Sequence, residues 1–99
     1  MAAAASLFIS FSGQLRPGVD LAALGARLAA TEGVLRAKGI ATDIDGQRQL
    51  LQVVGLRWQL VPVPARGVDH LVVIGLQVHA ERLARLVRDA AWFVVGSAA

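Results

Sequence analysis

From Val68 to Leu76 the chain reads Val-Asp-His-Leu-Val-Val-Ile-Gly-Leu, an almost unbroken apolar run of strand length. Such a run marks a central strand whose faces are both buried or nearly so. The rest of the chain must then supply flanking strands and a covering layer, which limits the fold to layered sheet architectures. Ser6 to Leu15 alternates, with Leu7, Ile9 and Phe11 on one face and Phe8, Ser10 and Ser12 on the other, the period of a strand. Arg16-Pro17-Gly18 stops it. Asp20 stands where an N-cap is needed, and Val19 and Leu24 occupy the positions of a hydrophobic staple. Leu21, Leu24 and Leu28 recur at helical spacing, so a helix is expected from Leu21 to about Glu32, closed by Gly33.

Val34 to Thr42 reads as a second strand, and Asp45-Gly46 as a two-residue type I′ turn into a third strand from Gln47 to Val54. Gly55 breaks that strand, Arg57 to Val61 forms a fourth, and Pro62 and Pro64 end it. Ala80 to about Trp92 places Leu83, Val87, Ala90 and Ala91 on one side and Arg82, Arg85 and Asp89 on the other, as in an amphipathic helix. The expected fold is α+β: a single two-layer domain of order β-α-β-β-β-β-α, a mixed sheet of four to five strands with two helices on one face. Its first β-α-β unit should cross over right-handedly. Residues 1–5 read as a disordered lead, 6–92 as the domain and 93–99 as a C-terminal tail.

With 99 residues the chain has room for one hydrophobic core and no second domain. Apolar residues make up 56% and glycine adds 10 more residues. An ordinary soluble domain reaches about 45–50% for the combined set. The excess points to a surface covered by another domain or subunit. Net charge is +3, but the basic residues are scattered from Arg16 to Arg88 among acids, unlike a nucleic-acid footprint. The absence of cysteine excludes a disulfide framework, a thiolate metal site and a cysteine nucleophile, and is compatible with the cytoplasm. The apolar stretch from Met1 to Phe11 lacks a positive leader region and falls short of the ~20 residues that span a bilayer. The expectation is a cytoplasmic protein that binds neither membrane nor nucleic acid.

Neither a G-x-x-x-x-G-K-[ST] phosphate loop nor G-x-G-x-x-G occurs, so a nucleotide site within these residues is not expected. No nucleophile–base constellation is present either, and the chain reads as no enzyme. His70 and His79 are the histidines, one at the start of a strand and one at the start of a helix. They are weak candidates for a shared metal site and read first as exposed edge residues. Asp43 and Asp45 flank a hairpin, where aspartate is ordinary turn chemistry. Arg36 and Lys38 alternate with Leu35, Ala37, Gly39 and Ala41, whose small side chains let helices approach and so send the cations to the uncovered face. On pattern alone those charges serve either solubility or docking. An RNA-binding sheet would interleave them with stacking aromatics, but the three Phe and two Trp lie mostly near the chain ends.

Val34-Leu35-Arg36-Ala37-Lys38-Gly39 resembles the L-R-x-K-G segment that follows the first helix in the C-terminal domain of CobW-type P-loop GTPases. Leu50 to Trp58 is similar to that family's apolar-Q-G-V-G-x-R-W segment, and Leu71-Val72-Val73-Ile74-Gly75 to its L-V-F-I-G strand. The likeness runs in register from about Leu7 to Ala90, with Val53, Val73 and Leu76 departing from the residues common in the family. The resemblance implies a non-catalytic accessory domain of a GTP-dependent metallochaperone or cobalamin-biosynthesis protein. Its partners would be an N-terminal P-loop GTPase domain, a metalloprotein client, or both. GTP with magnesium, and zinc or cobalt, would belong to the full-length protein, and this chain would hold no cofactor itself. Arg36, Lys38 and Arg57, all within the matching segments, are the candidate partner-binding residues. A stand-alone ligand-binding or oligomerising module, including a homo-oligomer, is the competing reading.

Overall fold

A computed structural model of the chain describes residues 6–64 and 66–98, so the expected lead over residues 1–5 lies outside the described residues. The elements are β1 (Phe8–Leu15), α1 (Leu21–Ala30), β2 (Val34–Thr42), β3 (Arg48–Val54), β4 (Arg57–Pro62), β5 (His70–Leu76), α2 (Ala80–Ala90) and β6 (Ala91–Ala98), with a 3-10 turn at Gln77–His79 leading into α2. β5 pairs antiparallel with both β1 and β2. β1 and β2 therefore run parallel with β5 between them. β6 lies against β1, and β3 and β4 extend the sheet beyond β2, giving the order β4-β3-β2-β5-β1-β6. The β6-β1-β5-β2 part with its two helices has the split βαβ plan of ferredoxin-like folds, widened by the β3–β4 hairpin.

Both helices cover the same face: α1 lies on β2, β3 and β4, and α2 on β1, β5 and β6. Only alternate strand residues are buried beneath them, among them Phe11, Leu15, Ala37, Leu51, Val53, Leu71 and Val73, which join Leu21, Leu24, Leu28, Leu83 and Val87 in one core. Asp20 caps α1 by accepting a hydrogen bond from the Ala23 N–H at 3.0 Å.

Several expectations are corrected. The sheet has six strands, every neighbouring pair antiparallel, in place of a mixed sheet of four to five. The missed strand is β6: α2 stops at Ala90, and Ala91 is already extended (φ −140°, ψ 157°). Ala90 and Ala91 prolong the apolar stripe of α2 and so hide its end, while Trp92 to Val95 favour a strand and pair with β1. Residues 93–98, expected as a tail, thus belong to the sheet. β5 is central, but only one of its faces is buried, since no helix covers the other. The β2–β3 connection is a three-residue loop: Asp43 and Gln47 pair (N···O 2.7 Å), the Gly46 N–H donates to the Asp43 carbonyl at 2.8 Å, and Gly46 has φ +87°. A type I turn followed by a left-handed residue has this pattern, whereas type I′ needs positive φ at Asp45 as well. Leu35, expected on the covered face, is exposed, because a register shift between Val34 and Arg36 buries Val34 in its place.

Candidate functional site

Antiparallel register fixes which side chains share a face, since directly opposed residues project together. Arg36 pairs with Val54 and Val54 with Arg57; Lys38 pairs with Gln52 and Gln52 with Gln59. On the other side Arg36 pairs with Ile74 and Lys38 with Val72. Ala37 and Val53, between these rows, are buried under α1. Arg36, Lys38 and Arg57 therefore stand together on the sheet face that carries no helix. Arg36 and Arg57 are separated by β3, so their backbones lie about 9–10 Å apart.

The three cations line a shallow depression of about 620 Å³ that also includes Gln52, Gln59 and Leu56. A second depression of about 350 Å³ adjoins it across Arg36 and Lys38 and is lined by Ile40, His70, Val72 and Ile74. Val54 and Leu56 are 60% and 88% exposed, so the cations sit among apolar side chains that face water. No carboxylate among the described residues pairs with Arg36, Lys38 or Arg57. The expectation that strand alternation gathers Arg36 and Lys38 on one open face agrees with the structure. Arg57 joins them only through the β3–β4 register.

The two histidines are not brought together. His70 opens β5 on the uncovered face, and His79 follows the far end of the same strand, where its ring packs against Gly33 and its Nε2 lies 3.4 Å from the Glu32 carboxylate. His79 is therefore half-buried, in contrast to the exposed edge residue expected. No three His, Asp or Glu residues among those described assemble as metal ligands, and the chain has no cysteine, so its donor set does not fit the zinc or cobalt that the family resemblance implies for a full-length protein.

Asp43, expected only as a turn aspartate, has a second role that the sequence does not signal. Asp43 is 8% exposed, and its Oδ1 accepts from the Leu21 N–H at 2.9 Å and the Ile44 N–H at 2.8 Å, while Oδ2 accepts from Gln49 Nε2 at 3.2 Å. It is a second cap for α1, contributed by the β2–β3 turn; no local pattern signals a partner so distant in sequence. No helix among the described residues is long and apolar enough to cross a membrane.

Among solved structures, the Zn(II)-bound YjiA GTPase from E. coli matches this fold with a TM-score of 0.57 and 23% sequence identity, over 83% of this chain and 29% of that one. That likeness is one of fold, and the chain corresponds to less than a third of that GTPase. No individual curated protein matches the chain. The family model for the cobalamin synthesis protein cobW C-terminal domain matches residues 7–91, spanning β1 to the start of β6 and including all three cations of the open face. The chain belongs to the family of CobW C-terminal domains.

Proposed function

We propose that this domain is the non-catalytic accessory part of a CobW-type GTP-dependent metallochaperone, serving cobalamin biosynthesis or metal delivery, and that it docks through its open sheet face onto a P-loop GTPase domain or a metalloprotein client. GTP hydrolysis and the metal site would reside in the GTPase domain, which supplies the chemistry that these residues lack. The observation that carries this reading is the one-sided sheet: both helices lie on one face, and the other presents Arg36, Lys38 and Arg57 beside exposed Val54 and Leu56. Arginine is enriched at protein interfaces and acids are depleted there, and exposed apolar side chains beside it add the hydrocarbon that a partner covers.

The double change Arg36→Ala with Lys38→Ala tests it. Exposed charges on a sheet contribute little to folding, within about 0.5 kcal/mol when removed, so the isolated domain should keep its melting temperature. Its affinity for a separately expressed CobW-type GTPase domain should fall. The reading is lost if the variant binds that domain as tightly as before, or if it unfolds, which would make the cations structural.

A further inference from the structure

We infer that the β2–β4 half of the open face is a receptor for an acidic segment of a protein partner, one that brings carboxylates to Arg36, Lys38 and Arg57 and apolar side chains to Val54, Leu56 and Ile74. This rests on the docking role proposed above and names the chemistry of what docks. All seven acids of the chain have other places. Asp20 and Asp43 cap α1, Asp45 accepts from the Gln47 N–H, and Asp69 is held by Arg48 at 2.6 Å. Glu32 lies beside His79 and Arg82, Asp89 beside Arg27, and Glu81 sits in the first turn of α2 on the helical side of the sheet. Among the described residues the cations of the open face are thus left without a counter-charge, and complementary potential has to come from whatever covers them.

The composition of the face selects among occupants. A second copy of this chain has net charge +3 and no cluster of acids to offer. A single-stranded nucleic acid requires aromatic platforms interleaved with the cations, but the aromatics of the open face, Phe8 opposite Leu76 and Trp92 opposite Gln14, lie on β1 and β6, and Arg36 and Lys38 are flanked on β5 by Ile74 and Val72. A purely polyanionic ligand would leave Val54 and Leu56 in water. Carboxylates combined with apolar groups satisfy both the charge and the exposed hydrocarbon.

The full chain, isotopically labelled, is titrated by NMR with a synthetic peptide alternating Glu and Leu, with poly-L-glutamate, and with oligouridylate. The Glu/Leu peptide is expected to bind tightest, to move the amide resonances of Arg36, Lys38, Val54 and Arg57, and to weaken about tenfold or more as salt shortens the Debye length from about 10 Å to about 3 Å. The triple change Arg36→Glu, Lys38→Glu and Arg57→Glu should abolish binding. The matched change Arg82→Glu, Arg85→Glu and Arg88→Glu, which alters net charge equally on α2, should leave the perturbed residues unchanged and the affinity within a few-fold. The inference is overturned if both triple variants lose binding alike, if the perturbed residues map to α2, or if oligouridylate binds more tightly than the peptide. If the peptide behaves as expected while a GTPase domain fails to bind, the docking role falls and the acidic receptor stands. If the open-face triple change weakens binding of the GTPase domain while the Glu/Leu peptide does not bind that face, the acidic receptor falls alone.

Discussion

Trp58 is opposed to Val53 across the β3–β4 ladder, so its indole lies on the helix side, against Gly25 of α1. A Cβ at Gly25 would stand 2.9 Å from the ring and 2.7 Å from Leu51 Cδ1, so the close approach of α1 to the sheet depends on the missing side chain. The ring closes the rim of the core at the β4 edge, with 39% of the residue still exposed. Truncating a fully buried aromatic costs about 3–5 kcal/mol, and a rim position should fall at or below the bottom of that range. For Trp58→Ala we expect a loss of about 2–3 kcal/mol, seen as a fall in melting temperature on the order of 10 °C. Leu56→Ala, two residues away but 88% exposed, should change stability by no more than about 0.5 kcal/mol. Equal effects of the two changes in thermal melts would show that the indole is a surface group.

α1 is held at its start by carboxylates from two elements, Asp20 beside its own first turn and Asp43 from the β2–β3 loop. Asp43→Ala removes the acceptor for the buried Leu21 N–H, and an orphaned buried donor costs about 1–3 kcal/mol. Denaturant unfolding should show that loss, with Asp43→Asn milder because its carbonyl oxygen still accepts; an unchanged midpoint for Asp43→Ala would mean that water replaces the carboxylate freely. In sequence Asp43 is one more turn aspartate, and nothing local connects it to a helix that begins 22 residues earlier. Elements whose period and punctuation coincide were legible: β1, ended by Arg16-Pro17-Gly18, β2 with its alternating small residues, and α1 with its cap. β6 was not, because Ala90 and Ala91 fit a helix as well as a strand, and the deciding ladder is to β1 at the other end of the chain. The facing of Arg36 and Lys38 followed from alternation alone. Their union with Arg57, and the exposure of Leu35, depended on register and on a bulge, which only the assembled sheet determines.

In the molecule as a whole, the start of each of the two described α-helices meets an incoming anion with a carboxylate of this chain. A nucleotide phosphate is cradled by free N–H groups at a helix N-terminus behind a glycine-rich loop. At α1 the Leu21 and Ala23 N–H groups are taken by Asp43 and Asp20, whose charges also oppose an incoming phosphate. α2 is entered through the 3-10 turn at Gln77–His79 and carries Glu81 in its first turn. The open sheet face attracts anions with side chains alone, since the backbone donors of its inner strands are committed to the ladders, and side-chain cations in water give salt-sensitive association and no fixed phosphate geometry. The isolated chain should therefore neither bind nor hydrolyse GTP. Calorimetric titration with GTP and magnesium should give no saturable heat, and no phosphate should be released on prolonged incubation. Saturable micromolar binding that survives high salt would instead place a nucleotide site within this domain and overturn the assignment of GTP chemistry to a separate GTPase domain.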